Sequence, residues 1–366
     1  MKIAIVMPHI FMWDKILKES IFAPGKLAID LADGLIERGH TVTLFTAGKV
    51  KTKSKVIPAD LRGVTSELAK RKLNLTELIK QDLETFHKLF KSIELSILSN
   101  AFKCAQDFDM LHVYITNGPE GPLFSKIIHK PVLFTLHDPF KLNFPNPETY
   151  ELIKEVPFTA ISNNQKLHVP KLNVIKTVYN GINVKQWKFI QKPKEYYAYF
   201  GRIIKPKGVH HAINACLRTG NKLKIAGIHY EGHGGDTYWS KKVEPYIDGK
   251  QIEYRGFINS QKEKNEFLGN AKALLFPITW DEPFGMSVVE ANACGTPVIA
   301  FNRGSIPEIV KNGLNGHMVG NVAGMKKAMK NIDDIDRKSC REHVEDAFSL
   351  EKMVEKYESV YKNIIH

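Results

Sequence analysis

Three stretches near the amino terminus decide the fold class: Ile3-Ala4-Ile5-Val6-Met7, Leu27-Ala28-Ile29-Asp30-Leu31-Ala32-Asp33-Gly34-Leu35-Ile36-Glu37, and Thr41-Val42-Thr43-Leu44-Phe45-Thr46. The first is an unbroken apolar run, short enough for a strand and buried on both faces, as strands of parallel sheets are. The second places apolar residues at helical spacing, and Gly39 behind it supplies a stop. The third returns to strand character. Strand, helix and strand in this order make a βαβ opening. The stretch Met1 to Pro8 is expected to be a buried first strand and not a signal peptide, because the apolar run is short, carries Pro8 and leads to no small-residue cleavage site.

Working outward, strands are predicted at Met110 to Ile115, Val132 to Leu136, Thr159 to Ile161 and Val174 to Val178. A second series follows at Tyr196 to Phe200, Lys222 to Ala226, Ile252 to Tyr254, Ala273 to Pro277 and Pro297 to Phe301. Helical stretches lie between these runs, which predicts two α/β units, each a mostly parallel sheet covered by helices. The joint is expected between Val184 and Lys194, where periodicity is lost before Pro193. The domains are therefore read as 1–186 (amino-terminal, Rossmann-like), 187–348 (carboxy-terminal, Rossmann-like) and a closing amphipathic helix within 349–366 that packs back on the first domain. A length of 366 residues suits two full cores.

No stretch approaches the roughly 20 apolar residues of a membrane span. Cys104, Cys216, Cys294 and Cys340 are widely spaced with no C-x-x-C pair, which fits neither a zinc site nor a disulfide framework and points to a reducing cytoplasm. The net charge of +13 is the unusual bulk feature, and a surface this basic attracts phosphates, nucleic acid or anionic membrane. Much of it lies in the first half, at Lys49, Lys51, Lys53, Lys55 and Lys70-Arg71-Lys72. These runs read first as a solvated face and second as a peripheral contact with the inner face of a membrane. They lack the interleaved aromatic residues of a single-stranded nucleic-acid groove, so no nucleic-acid partner is expected.

Ligands of doubly wound sheets bind beyond the carboxyl ends of the strands, so chemistry is sought in the loops after them. Trp280-Asp281-Glu282-Pro283-Phe284-Gly285-Met286-Ser287-Val288-Val289-Glu290-Ala291 follows one such strand. It reads as a loop entering a helix, with Gly285 letting backbone approach a ligand and the first free N–H groups of the helix suited to a diphosphate. Glu282 and Glu290 can accept the paired hydroxyl hydrogens of a sugar and of a ribose. The other reading makes them surface glutamates that favour a helix start. Gly201-Arg202-Ile203-Ile204-Lys205-Pro206-Lys207-Gly208 follows another strand, and Arg202 and Lys207 can converge on a pyrophosphate and neutralise its charge as it leaves.

With these motifs the chain resembles family 4 of the glycosyltransferases, the retaining group with the two-domain GT-B fold. The resemblance rests on Pro24-Gly25 with Leu31-Ala32 and Glu37-Arg38-Gly39-His40, on Asn180-Gly181-Ile182, on the Gly201 to Gly208 loop, on the Glu-x7-Glu element, and on Ala293-Cys294-Gly295-Thr296-Pro297-Val298-Ile299-Ala300. It implies an α/β fold of two Rossmann-like domains facing a cleft. It further implies that Arg202 and Lys207 bind the donor diphosphate, that Glu290 holds the ribose, and that Glu282 with the backbone of Phe284, Gly285, Met286 and Ser287 orients the sugar. His137, in Thr135-Leu136-His137-Asp138, matches the family histidine beside the donor sugar. The family's early double-glycine loop reads Phe22-Ala23-Pro24-Gly25-Lys26 here, leaving Gly25 for a backbone contact to the diphosphate and Lys26 for phosphate or solvent. The base pocket is expected at the Arg255-Gly256-Phe257-Ile258 turn, with Phe257 and Ile258 against the base.

The function this implies is retaining transfer of a hexosyl group from a nucleoside-diphosphate sugar, UDP preferred and GDP or ADP open, to an acceptor hydroxyl, with no metal and no cofactor. The acceptor is a small molecule, a glycan or a lipid-linked molecule; phrases such as Arg303-Gly304-Ser305-Ile306-Pro307-Glu308 resemble a subgroup acting on antibiotic-like and pterin acceptors. The alternatives are a nucleotide-sugar-binding protein or an epimerase of the same fold, and a basic nucleic-acid-binding protein. Two Asp-x-Asp triplets, Asp107-Phe108-Asp109 and Asp334-Ile335-Asp336, are rejected as metal sites, one because it precedes its strand and the other because it lies in a polar stretch. Gly232-His233-Gly234-Gly235 is not a G-x-G-x-x-G turn opening a helix, so a nicotinamide fingerprint is not read there.

Overall fold

The computed structural model describes residues 1–13, 22–115, 118–139, 148–229 and 237–365. The Gly232 to Gly235 stretch lies outside them. The chain forms two compact units, Met1–Tyr179 with Met353–His366, and Asn180–Lys352.

The first unit is built on seven parallel strands: β1 (Lys2–Met7), β2 (Thr41–Thr46), β3 (Lys55–Pro58), β4 (Met110–Ile115), β5 (Val132–Leu136), β6 (Phe158–Ala160) and β7 (Val174–Thr177), in the order β3-β2-β1-β4-β5-β6-β7. The second has six, β8 (Tyr197–Phe200), β9 (Leu223–Ala226), β10 (Ile252–Tyr254), β11 (Ala273–Phe276), β12 (Val298–Phe301) and β13 (Gly316–Val319), in the order β10-β9-β8-β11-β12-β13. In each sheet the order reverses direction beside the first strand, at β1/β4 and at β8/β11. Loops leaving either pair diverge to opposite faces and leave a crevice. Strands β1, β5, β11 and β12 are buried almost throughout, as their apolar runs require.

Two strands escape the sequence reading, and both are edges. β3 falls within the lysine-rich stretch and ends at Pro58, while β13 is only partly buried. Edge strands carry charge, proline and brevity against aggregation, so their apolar signal is weak. The first helix also begins earlier than its periodicity suggests, at Ala23 instead of Leu27, with Pro24 in its first turn. Proline there is preorganised for a helix, although it reads as a loop in sequence.

The closing helix Leu350–Ile365 buries Met353, Val354, Tyr357, Val360 and Tyr361, and from Met353 onward it belongs to the first unit. Gly34 admits it closely, since a Cβ there would stand 2.6 Å from a methyl of Val354. Its two tyrosines enter a buried polar chain. His112 Nδ1 lies 2.7 Å from Tyr361 Oη and Nε2 lies 2.6 Å from Thr135 Oγ1, which in turn meets Thr159 Oγ1 at 2.7 Å and Tyr357 Oη at 3.1 Å. Tyr361→Phe strands a buried imidazole nitrogen. It is expected to cost about 1–3 kcal/mol of stability in denaturant titration, more than the same substitution at exposed Tyr246.

The Asp-x-Asp triplets have structural occupations. Asp109 Oδ2 accepts from the Lys2 amide at 2.7 Å, tying the starts of β4 and β1, and Asp336 caps helix Arg337–Ala347 through the Lys338 amide. Within the basic stretches Lys53 pairs with Glu37, and Arg71 with Glu67 and Asp82. No helix among the described residues is long and apolar enough to cross a membrane.

Candidate functional site

The loops after β8 and β11 leave the second sheet side by side, because these strands are neighbours at the point of reversal. Their backbones are joined directly. Thr279 donates its amide to the Pro206 carbonyl at 2.8 Å, and Gly208 sits against the Pro277 carbonyl, where a Cβ would collide. Gly208 holds φ +70°, a left-handed conformation that costs a residue with a side chain, and from it helix Val209–Thr219 starts. This contact brings Lys207 to Glu282, 75 residues later, with Nζ 2.5 Å from Oε2.

The pair is sheltered, its side chains 14% and 11% exposed. Trp280 donates its indole N–H to the same Oε2 at 2.8 Å, and the ammonium lies 5.2 Å from the Trp280 ring centre and 5.9 Å from that of Phe276. Burial lowers the affinity of Lys207 for its proton, with the Glu282 charge opposing. Among the described residues this carboxylate and ammonium still have unused capacity: two further N–H donors on lysine and the second carboxylate oxygen. Arg202 stands nearby with its side chain exposed, and its carbonyl is fixed by the Tyr199 hydroxyl at 2.8 Å.

Behind Glu282 the chain is braced from the next loop. Ser305 donates its amide to the Glu282 carbonyl at 3.0 Å and its hydroxyl to the Phe284 carbonyl at 2.5 Å. Gly304, at φ +57°, packs on the Glu282 backbone where a Cβ would collide. Gly285, at φ +103°, is the N-cap of helix Met286–Ala293 and supplies no side-chain cap to its first amides. Met286 and Ser287 are half-buried at that helix start, and Glu290 is half-buried on the same helix. In the turn after β10, Ile258 is buried and Phe257 half-buried. Gly227, after β9, lies against the Gly201 carbonyl and accepts from the Tyr254 hydroxyl at 2.9 Å, which sets the spacing of these strand ends.

The structure thus brings together Lys207 and Glu282 and places Arg202, Phe284, Gly285, Met286, Ser287 and Glu290 on the same two loops and the helix that follows. Gly304, Ser305 and Trp280 carry the bracing that sequence reasoning left unassigned. A glycine before a serine after a strand is the signal that marks the first two.

His137 and Gly25 belong to the first unit. His137 follows β5, stacks on Tyr114 with ring centres 4.6 Å apart, and has Nε2 buried with no hydrogen-bond partner among the described residues. Its backbone neighbours are held by Gln165, which donates to the carbonyls of Leu136 and Asp138. Gly25 is the third residue of helix Ala23–Glu37, packed against Met12 and Phe22 where a Cβ would intrude, and Lys26 pairs with Asp30 at 2.6 Å. That helix start has no side-chain cap.

Burial lowers the pKa of His137 to about 3, and burial followed by the His137 charge does the same to His112. Both imidazoles are therefore neutral at neutral pH. The unfolded chain, with histidines near 6.5, binds more protons between the two values, so the stability from burying neutral imidazole is complete above pH 6.5 and is lost as pH falls toward 3. The unfolding free energy is expected to fall over that window by up to about 1.4 kcal/mol per pH unit for each histidine, read as a falling melting temperature. His112→Gln should flatten the slope measured by calorimetry across pH 4–7.

No group of three or more His, Cys, Asp and Glu side chains among the described residues is arranged to hold a metal ion.

Residues 183–345 match the model of the family described as glycosyl transferases group 1. The chain is 24% identical over 386 aligned positions to N-acetyl-alpha-D-glucosaminyl L-malate synthase of Bacillus anthracis, covering 94% of this chain and 95% of that protein. It is 29% identical over 211 residues to an uncharacterized 41.2 kDa protein of the cps region of Klebsiella pneumoniae, where the match spans 52% of this chain and 56% of the relative. Among solved structures, HepE of Anabaena in complex with UDP superposes with a TM-score of 0.69 at 15% identity, over 99% of this chain and all of the other. The α/β architecture of two Rossmann-like units is that of the GT-B glycosyltransferases.

Proposed function

We propose, on the premise that residues 183–345 belong to the glycosyl transferases group 1 family, that the whole chain is a retaining glycosyltransferase. It moves a hexosyl group from a nucleoside-diphosphate sugar to an acceptor hydroxyl. The observation that carries the reading is the Lys207–Glu282 pair at the β8/β11 reversal, beside exposed Arg202 and an uncapped helix start. Cations for a diphosphate and a carboxylate for hydroxyls stand where doubly wound sheets take their ligands.

In this reading the bond from the anomeric carbon to the diphosphate oxygen breaks, and its electron pair leaves with the diphosphate. Arg202, Lys207 and the amides of Met286 and Ser287 take up the charge as it develops. Glu282 and Glu290 hold the sugar and the ribose by accepting from their hydroxyls. Phe257 and Ile258 flank the base. The acceptor oxygen attacks from the face the diphosphate leaves, and its proton passes to the departing phosphate, so configuration is retained without a carboxylate nucleophile. Two side-chain cations do the work that a divalent ion would otherwise do, which supports a metal-independent mechanism. The expected roles of His137 and Gly25 are supported by a neutral imidazole whose Nε2 has no partner among the described residues and by an uncapped helix start suited to phosphate. UDP is the preferred nucleotide; HepE, a protein of this fold, is solved with UDP-glucose.

The test is incubation of the protein with UDP-, GDP- and ADP-sugars, with chelator, against small-molecule, glycan and lipid-linked acceptors, the product linkage being read by NMR. Transfer with an unchanged anomeric configuration supports the reading. Inversion, or transfer that chelator abolishes, contradicts it.

A further inference from the structure

We infer that Trp280 is a positioning residue which holds Glu282 in place while Lys207 exchanges this carboxylate for the donor diphosphate. The inference rests on the donor-site reading above and concerns a residue to which that reading gives no role.

The geometry creates a problem that only a third group solves. Lys207 and the Trp280 indole N–H both bind one oxygen of Glu282, Oε2, at 2.5 Å and 2.8 Å. A diphosphate carries more charge than a carboxylate and competes for the ammonium. When Lys207 turns to it, Glu282 loses its cation while still sheltered from water, and an unpaired carboxylate there would reorient. The indole N–H remains on Oε2, which holds the carboxylate in place and leaves Oε1 for a sugar hydroxyl. The same ring lies 5.2 Å from the ammonium and forms one wall of its site, so the lysine moves between two anions without leaving aromatic cover. Indole can only donate, which suits it to hold a carboxylate and not to compete for the phosphate.

Trp280→Phe keeps the wall and removes the N–H. By calorimetry it is expected to bind UDP within about threefold of the natural protein, while the extra affinity of UDP-glucose over UDP falls roughly ten- to a hundredfold. In assays the KM for the sugar nucleotide rises by the same factor while the inhibition constant of UDP holds. Glu282→Gln should reproduce the loss, and adding Trp280→Phe to it should cost little more, because both act through one hydrogen bond. Trp280→His, which retains an N–H, should recover part of the increment and serves as the test should the phenylalanine variant not fold. A full sugar increment in folded Trp280→Phe overturns the inference while leaving the donor site standing. Additive losses in the double variant, or equal losses for UDP and UDP-glucose, overturn it too. A natural protein that binds neither UDP nor UDP-glucose overturns the inference together with the reading beneath it.

Discussion

Lys207→Ala is expected to lower kcat/KM for the sugar-nucleotide donor by roughly 100- to 1,000-fold, the usual loss when one preorganised donor to a developing charge is removed. Its ammonium is held in a sheltered place by Glu282, Trp280 and the Phe276 ring, so it has only to turn from one anion to the other to meet a departing diphosphate. A mobile surface lysine would give far less. The fold should survive. Breaking a sheltered ion pair leaves Glu282 with the indole donor and partial access to water, a cost of about 1–3 kcal/mol. Arg202→Ala should show a similar kinetic loss with no change in melting, since that side chain is exposed. Near-normal turnover in either variant would remove these cations from the mechanism.

Gly208→Ala is expected to damage the second unit severely. Two penalties combine there. The backbone at φ +70° costs a residue with a side chain about 1–2 kcal/mol, and the new Cβ would overlap the Pro277 carbonyl, forcing the β8 and β11 loops apart. A total of about 3 kcal/mol or more, read as a fall in melting temperature of roughly 6–12 °C, should come with loss of donor binding, because the displaced loops carry Lys207 and Glu282. Gly220→Ala is the control. Its φ is +71°, yet its Cβ would meet nothing within 4 Å, so it should show the conformational penalty alone. Equal effects at the two glycines would mean that loop contact contributes nothing.

The parts of this molecule legible in its sequence are those whose signal is local. Strands β1, β5, β11 and β12 are continuous apolar runs because both faces are covered, and the closing helix repeats Met353, Val354, Tyr357, Val360 and Tyr361 at helical spacing. Edge strands β3 and β13 give weak patterns for the opposite reason. The site is legible as two separate loops. What no local pattern carries is their union: Lys207 and Glu282 read as partners of a phosphate and of a sugar, whereas in the folded chain each is the other's partner. That pairing depends on β8 and β11 being neighbours at the reversal of the sheet, and on two glycines, Gly208 and Gly304, whose contacts lie on other loops. Trp280 is silent in sequence because a tryptophan in a loop marks neither a ligand nor a hydrogen bond until its N–H is seen to point at Glu282.

In the proposed function the loops after β8 and β11 form a diphosphate site that needs no metal. It is tested most directly by thermal shift and calorimetry of the purified protein with UDP, GDP, ADP and their sugars, with and without chelator, and with Lys207→Ala alongside. A ligand bound only by the native state stabilises it by roughly 2.7 kcal/mol at a hundred times its dissociation constant. Stabilisation by one nucleotide family is expected, unchanged by chelator and largely lost in Lys207→Ala. Stabilisation that vanishes with chelator, persists in full without Lys207, or appears with none of these ligands would contradict it.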